Sequence, residues 1–415
     1  MASNSILVIG GGFAGLTAAL EAAEIGHEVF IIEKTPFLGG RVMQLNKYFP
    51  KLCPPSCGLE IQYQRIKNNP NVKFFTLAEV TKVEGSVGNY EVTVRIKPRY
   101  AGPSSPDLSD LCNELTSEVV NDFEFGLSTR KPVYMDAPFA FPQRYVVDKA
   151  GLSDADKAKV QKCDYLDLTE EEKTITLSVG SIVIATGWKP YDVTNLTNLG
   201  AGAVKNCISN MQMERLASPH GPTGGTIKRP SDGKAPKNIA FVQCAGSRDQ
   251  NHLNFCSYIC CMASLKQALY LREQYPHAEV TLYYIDLRTP GRYKNFRDKV
   301  MADDKIHLVK GKVAGLEACG SCDCDDVILE VEDAVKGTKS KRRHDLVVLA
   351  AGMQPSLAGE ANPYGVALDA DGFVVGGEER GIFAAGCAAR PLDVMHAAQS
   401  GTGAALKAVQ TVRGR

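Results

Sequence analysis

Ser5-Ile6-Leu7-Val8-Ile9-Gly10-Gly11-Gly12-Phe13-Ala14-Gly15 is the stretch that decides the fold. A short apolar strand runs into three glycines and then into a segment, Ala14 to Ile25, whose apolar residues recur with helical spacing. Glu28 to Glu33 reads as a second strand, completing a βαβ unit of the kind that holds a dinucleotide. Gly10 permits the tight turn, Gly12 lets backbone N–H groups approach a pyrophosphate, and Gly15 lets the helix lie close to the strand. Phe13 and Ala14 open that helix at the same site. Glu33 ends the second strand, where a carboxylate can hold a ribose 2′-OH, and Lys34 follows it; Val80 is assigned to the same cofactor site.

Further elements follow in order. Gly39-Gly40-Arg41 stands just after the Glu-ended strand, a placement that resembles flavoproteins with two dinucleotide-binding domains, in which this loop lies along FAD. The apolar run Ser181 to Ala185 ends in Thr186-Gly187, the element at which such chains leave the FAD domain, and Asp345 to Leu349, ending in Ala350-Ala351-Gly352, mirrors it. Near the C-terminus Gly381-Ile382-Phe383-Ala384-Ala385-Gly386 precedes a Gly-rich helix, Met395 to Val409. The N-terminal amides of that helix, at Met395 and His396, are expected at the flavin pyrimidine edge, His396 chiefly through its backbone N–H. Cys387 follows Gly386 where an Asp usually contacts the ribityl chain; it reads as a small buried residue or, alternatively, as a redox group beside the flavin.

These elements predict an α/β, glutathione/thioredoxin reductase-like flavoprotein: a Rossmann-type FAD domain, a second Rossmann-like domain and an insertion. The expected boundaries are residues 1–97, 171–200 and 341–415 for the FAD domain, 98–170 for the insertion, rich in proline and weak in periodicity, and 201–340 for the second domain. In the second domain the strand Asn238 to Gln243, the helix Cys256 to Tyr275 and the strand Glu279 to Asp286 form another βαβ pattern.

The chain has 415 residues, a net charge of zero and 44% hydrophobic residues, enough for large cores without disulfides. Nothing in it favours nucleic acid, and no run approaches the ~20 apolar residues of a membrane span. The first residues enter a strand at once, with no basic or cleavable leader segment, which predicts a cytoplasmic protein. None of the seven histidines pairs with a Ser or Cys as a nucleophilic dyad.

Thirteen cysteines are many for such a chain, and in a reducing compartment they are more often metal ligands or redox groups than bridges. Cys244, at the end of the second domain's first strand, is followed by Cys256, Cys260 and Cys261 at the start of the expected helix. Four thiols therefore converge where a nicotinamide nucleotide would otherwise sit, because strand ends and helix starts are where α/β folds collect ligands. With Cys256 and Cys260 on one helix face and Cys261 about 100° around from it, the spread suits the corners of a [4Fe-4S] cube better than a tetrahedral zinc site or inert buried thiols. Arg248 and the helix dipole are placed to offset the thiolate charge.

This C-x11-C-x3-C-C arrangement, with Gly386-Cys387, Tyr48-Phe49-Pro50, Phe125-Gly126-Leu127 and Phe141-Pro142, resembles the A subunits of heterodisulfide reductases over nearly the whole chain. The resemblance implies FAD together with a [4Fe-4S] cluster on Cys244, Cys256, Cys260 and Cys261. Members of that family usually carry ferredoxin-type CxxCxxC segments, whereas the insertion here keeps only Cys112 and Cys163. Short A subunits of this form resemble those of the quinone-interacting membrane-bound oxidoreductase complex of sulfate reducers, as does Tyr48 to Cys57. That implies electron transfer between menaquinone and adenylylsulfate reductase. The implied partners are a sister flavin/iron-sulfur subunit plus a membrane haem subunit. The implied place is the cytoplasmic face of the inner membrane, held by those partners.

Lys266 is the candidate catalytic residue: on the helix after Cys261, it could set a positive charge between cluster and flavin and stabilise an anionic reduced isoalloxazine, or else be a lysine stem reaching solvent. Cys53 and Cys57 form either a flavin-facing dithiol or a turn around Pro54-Pro55, and Cys319, Cys322 and Cys324 read as a surface turn. The competing function is a stand-alone NAD(P)H-dependent flavin disulfide reductase using Cys53 and Cys57. It is disfavoured because Cys244 to Ser247 contains a single glycine and no pyrophosphate turn.

Overall fold

A computed structural model describes residues 3–103, 106–320 and 325–414, so Cys322 and Cys324 lie outside the described residues. The chain divides into two compact units, one of Met1–Met43, Pro55–Trp188 and Pro355–Arg415, the other of Gln44–Pro54 and Lys189–Gln354.

In the first unit five strands form a parallel sheet in the order Ile382–Ala384, Ser181–Ile184, Ile6–Ile9, Val29–Ile32 and Val72–Phe75. The central strands are continuous apolar runs because a parallel sheet is covered on both faces, and Ile6–Ile9, Val29–Ile32 and Ser181–Ile184 are buried throughout. Register decides where the site lies: Ile9 pairs with both Ile184 and Ile32, and Ile184 with Ala384. Three separate turns, after Ile9, after Ile184 and after Ala384, therefore leave the sheet side by side at its carboxyl edge, where such sheets bind ligands. An antiparallel sheet of Lys173–Val179, Asn89–Ile96 and Ala78–Ser86 packs its Val80, Tyr90, Val92 and Val94 onto the same core. The proline-rich segment builds its own small core from Ala101, Leu108, Leu115, Val133, Val147 and Val160, within this unit.

The second unit has a seven-stranded sheet in the order Cys207–Ser209, Leu346–Ala351, Asn238–Ala245, Glu279–Tyr284, Ile306–Ala318, Val327–Asp333 and Thr338–His344. Its first five strands are parallel, and Val327–Asp333 pairs antiparallel with both Ile306–Ala318 and Thr338–His344. Two expectations are corrected here. Leu346–Ala351, assigned from sequence to the FAD domain, hydrogen-bonds between Cys207–Ser209 and Asn238–Ala245, so the second unit runs on to Gln354. It also begins earlier, at Lys189, and takes in Gln44–Pro54.

Candidate functional site

The glycine turn is held by contacts a side chain would destroy. Gly10 has φ +108°, and a Cβ there would lie 2.3 Å from the Ala185 carbonyl oxygen; one on Gly15 would lie 2.0 Å from the Gly10 oxygen. Gly12, by contrast, faces open space, with nothing nearer to such a Cβ than Gly40 Cα at 3.9 Å. Gly39 N–H donates to Gly11 O at 2.7 Å, which lays the Gly39-Gly40-Arg41 loop beside the turn. Phe13 begins the helix Phe13–Glu24, which no side chain caps at Gly12, the kind of helix start at which anions bind. Ala14 is buried, and Gly401 of the C-terminal helix approaches it so closely that a Cβ there would meet Ala14 O at 2.4 Å.

Glu33 is buried and accepts from Gly11 N at 2.6 Å on one oxygen, and from Thr35 N and Oγ1 at 2.8 and 2.7 Å on the other. A carboxylate offers about four acceptor positions, which leaves one for a ribose hydroxyl. Burial raises its pKa above the ordinary carboxylate value despite those donors and the nearby Arg41. Arg41 donates from Nε to Trp188 O at 3.1 Å, and burial lowers its pKa. Lys34 pairs with Glu79 at 3.1 Å, and Val80 is buried in the core. Ala185 is buried, Gly187 has φ +72°, and the Thr186 hydroxyl between them is buried without a hydrogen-bond partner. An orphaned hydroxyl, an open Gly12 and an uncapped helix at one sheet edge fit a dinucleotide such as FAD.

At the C-terminal element, Gly386 N–H donates to Ser400 Oγ at 3.0 Å. Cys387 is buried with Sγ 3.4 Å from Leu392 O, and burial pushes its pKa up to about 12, the behaviour of an inert packed thiol. The helix Val394–Val412 is capped by Asp393, which accepts from His396 N at 2.9 Å and His396 Nδ1 at 2.8 Å. This corrects the expected role of His396: its backbone N–H is the one the cap satisfies. The D-x-x-H spacing could have shown it. Met395 is 52% exposed.

In the second unit the cysteine loop departs from the sequence reading in one respect. The helix spans Cys260–Gln274, not Cys256 to Tyr275, so Cys256 lies on the loop and shares no helix face with Cys260. The backbone is turned aside before the helix by Tyr258 at φ +67°. Ser257 is pinned there, its hydroxyl accepting from Met353 N at 2.8 Å and lying 2.6 Å from Ser247 Oγ. Cys244 sits in a bulge between Val242 and Ala245 at φ +58°, and Arg248 is at φ +57°. Non-glycine residues held in the left-handed region cost about 1–3 kcal/mol each and cluster at functional sites.

Cys244, Cys260 and Cys261 each feel other thiols of the group. Cys260 is pushed well above its ordinary value by burial and then by Cys244, Cys261 and Cys256; Cys261 rises to about 11 by burial, with Cys244 and Cys256 adding. Burial also raises Cys244, opposed by Arg248. Tyr258 N–H donates to Cys256 Sγ at 3.4 Å, Cys260 Sγ lies 3.7 Å from Ala351 O and Cys261 Sγ 3.6 Å from Asp286 O. Among the described residues no three His, Cys, Asp or Glu side chains are drawn together as for a single metal ion. A cluster joins its ligands through several metal atoms, so four soft sulfurs near one another, two buried and two half-buried, with an arginine beside them, fit that larger group by donor chemistry. Gly246 offers no second nucleotide turn: a Cβ there would meet the Tyr191 ring at 2.6 Å, where one on Gly12 meets nothing nearer than 3.9 Å.

Lys266 is corrected in one of its readings, for its stem does not reach solvent. It is 2% exposed, donates to Lys47 O at 2.6 Å and pairs with Glu214 Oε1 at 3.0 Å. Burial lowers its pKa and Glu214 opposes the change. Glu214, unsuspected from the sequence, also accepts from Asn46 N at 2.9 Å and Gln267 Nε2 at 2.6 Å. Nothing local in Ser209-Asn210-Met211-Gln212-Met213-Glu214 marks it out. Cys53 and Cys57 are free thiols, Cys57 exposed.

Residues 5–48 match the family of FAD-dependent oxidoreductases. The chain is 36% identical over 421 residues to the second iron-sulfur A subunit of CoB–CoM heterodisulfide reductase from Methanopyrus kandleri, covering 98% of this chain and 64% of that one. It is 36% identical to the iron-sulfur A subunit of CoB–CoM heterodisulfide reductase from Methanocaldococcus jannaschii, over 97% of this chain and 63% of that one. It thus spans a little under two thirds of these relatives' length. Thioredoxin reductases of Lactococcus lactis and T. acidophilum share the fold, with TM-scores of 0.54 and 0.53 at 13% and 14% identity. Those superpositions cover 99% of this chain in both cases, and 100% and 97% of theirs. Among the described residues no helix is long and apolar enough to cross a membrane. Over nearly its whole length the chain is therefore similar to part of the A subunits of heterodisulfide reductases, and it is an FAD-dependent oxidoreductase on the α/β fold of the two-dinucleotide-domain flavoproteins.

Proposed function

We propose that the protein is an electron-transfer subunit that holds FAD on its first unit and a [4Fe-4S] cluster on Cys244, Cys256, Cys260 and Cys261 of its second. The observation that carries the reading is the convergence of those four cysteines where a second nucleotide turn would stand, with Gly246 closed by Tyr191. When bound, FAD accepts two electrons and the cluster exchanges one at a time, so the pair suits a converter between two-electron and one-electron carriers. Gly10, Gly12, Gly15, Glu33, Arg41 and Thr186 orient the dinucleotide, and Arg248 shields the thiolates.

Work inside a larger assembly follows from the relatives, which are named as subunits of heterodisulfide reductases. Within that reading Tyr48 to Cys57 favours a quinone-interacting membrane-bound complex of sulfate reducers. The partners would be adenylylsulfate reductase, a membrane haem subunit and a sister flavin/iron-sulfur subunit, with the protein peripheral on the cytoplasmic face of the inner membrane. The test is Cys260→Ala, which should abolish bound iron and sulfide while leaving FAD stoichiometric. Retention of the iron refutes the ligand assignment, and a purified parent protein without iron or acid-labile sulfide refutes the function.

A further inference from the structure

We infer that Arg248, anchored by Asp286, is the charge-compensating donor of the sulfur centre, offering Nη1 to the Cys244 side of that centre and setting its reduction potential. The inference rests on the iron-sulfur reading above. Arg248 Nη2 donates to Asp286 Oδ2 at 2.8 Å, whereas Nη1 is buried and has no hydrogen-bond partner. A buried guanidinium N–H left unpaired marks a missing acceptor. The neighbouring acceptor is the Cys244 sulfur, which lies within side-chain hydrogen-bonding reach of Arg248. Beside it opens a cavity of about 360 Å³ lined by Arg248, Gln250, Asn254, Cys256 and Arg288, which contains two guanidinium groups, a ligand thiol and no carboxylate. The second guanidinium, Arg288, stands 3.8 Å from the same Asp286. The backbone supports the placement: Arg248 is in the left-handed region, with its N–H bonded to Phe255 O at 3.0 Å.

Uptake of one electron adds one negative charge to the centre, with no bond broken and no proton moved. A cation in contact lowers the cost of that charge, and hydrogen bonds to sulfur act in the same direction. The two members of the pair therefore have opposite signs of effect, which a merely structural role does not produce.

The experiment is a potentiometric titration of the full chain with dithionite, following the EPR signal of the reduced centre, alongside iron, sulfide and FAD assays. Arg248→Gln at full iron content should shift the one-electron equilibrium at least tenfold against reduction, a fall of ~59 mV. Asp286→Asn should move the potential upward. An unchanged potential in Arg248→Gln at full iron content overturns the inference. If Arg248→Gln loses iron, Asp286→Asn decides alone: a rise supports the inference, and a fall or no change overturns it. A parent protein without iron and sulfide refutes the cluster reading itself, which is a separate result.

Discussion

Replacing Glu214 by Gln tests what holds the segment around Lys47 in the second unit. Glu214 is 1% exposed and Lys266 2%, their charged atoms are 3.0 Å apart, and no solvent is at hand to replace either partner. Gln keeps the size and one acceptor oxygen but removes the negative charge, leaving the Lys266 ammonium buried with neutral acceptors and no counter-charge. Breaking a buried pair from one side costs about 3–5 kcal/mol, because the surviving charge keeps its full desolvation penalty. The second unit unfolds as a domain for which each kcal/mol moves Tm by roughly 2–4 °C, so its transition should fall by roughly 6–20 °C. Calorimetry of the parent, Glu214→Gln, Lys266→Met and the double variant separates the pair from the rest of the network. Each single change should be severe, and the double variant clearly less destabilised than their sum, with a coupling of about 2 kcal/mol or more. A Glu214→Gln transition within about 1 kcal/mol of the parent, together with additive changes, would falsify the claim that this pair secures the Lys47 segment.

Two further outcomes are expected in the first unit. Gly10→Ala combines a left-handed φ with a Cβ 2.3 Å from Ala185 O, so it should cost about 2–5 kcal/mol and be relieved by opening the turn. FAD affinity should drop at least tenfold, about 1.4 kcal/mol; undiminished flavin in the purified variant contradicts the placement of the turn. Glu33 has a folded pKa above its ordinary 4.5, so its contribution to stability is complete below that value and is lost as pH rises through the raised one. Urea midpoints of the flavin-free protein should therefore decline from about pH 4.5 upward relative to Glu33→Gln. Parallel pH profiles for the two proteins contradict this.

The glycine turn, the Thr186-Gly187 and Gly386 elements and the cysteine loop were legible because each depends on a short stretch of chain. A tight turn demands glycine where it occurs, a buried parallel strand demands a run of apolar residues, and thiol ligands cannot be replaced by other residue types. Even so, local signals misplaced the start of the cysteine helix. Nothing in the residues between Cys256 and Cys260 records that Ser257 is tied to Met353, nearly a hundred positions later. The Asp393 cap was readable from spacing and displaces the role expected of the His396 N–H.

By itself the sequence determined that this chain is a βαβ-built flavoprotein with a thiol group in place of a second nucleotide turn, since those features are set by residue type at short spacing. Only the tertiary structure decided that Leu346–Ala351 belongs to the second sheet and that Lys266 answers to Glu214. It alone decided, too, that Arg248 is anchored by Asp286. Strand pairing and buried charge pairing join residues tens of positions apart. A strand's apolar pattern is the same in either sheet, and a lysine carries no mark of the carboxylate that will neutralise it once both have left water.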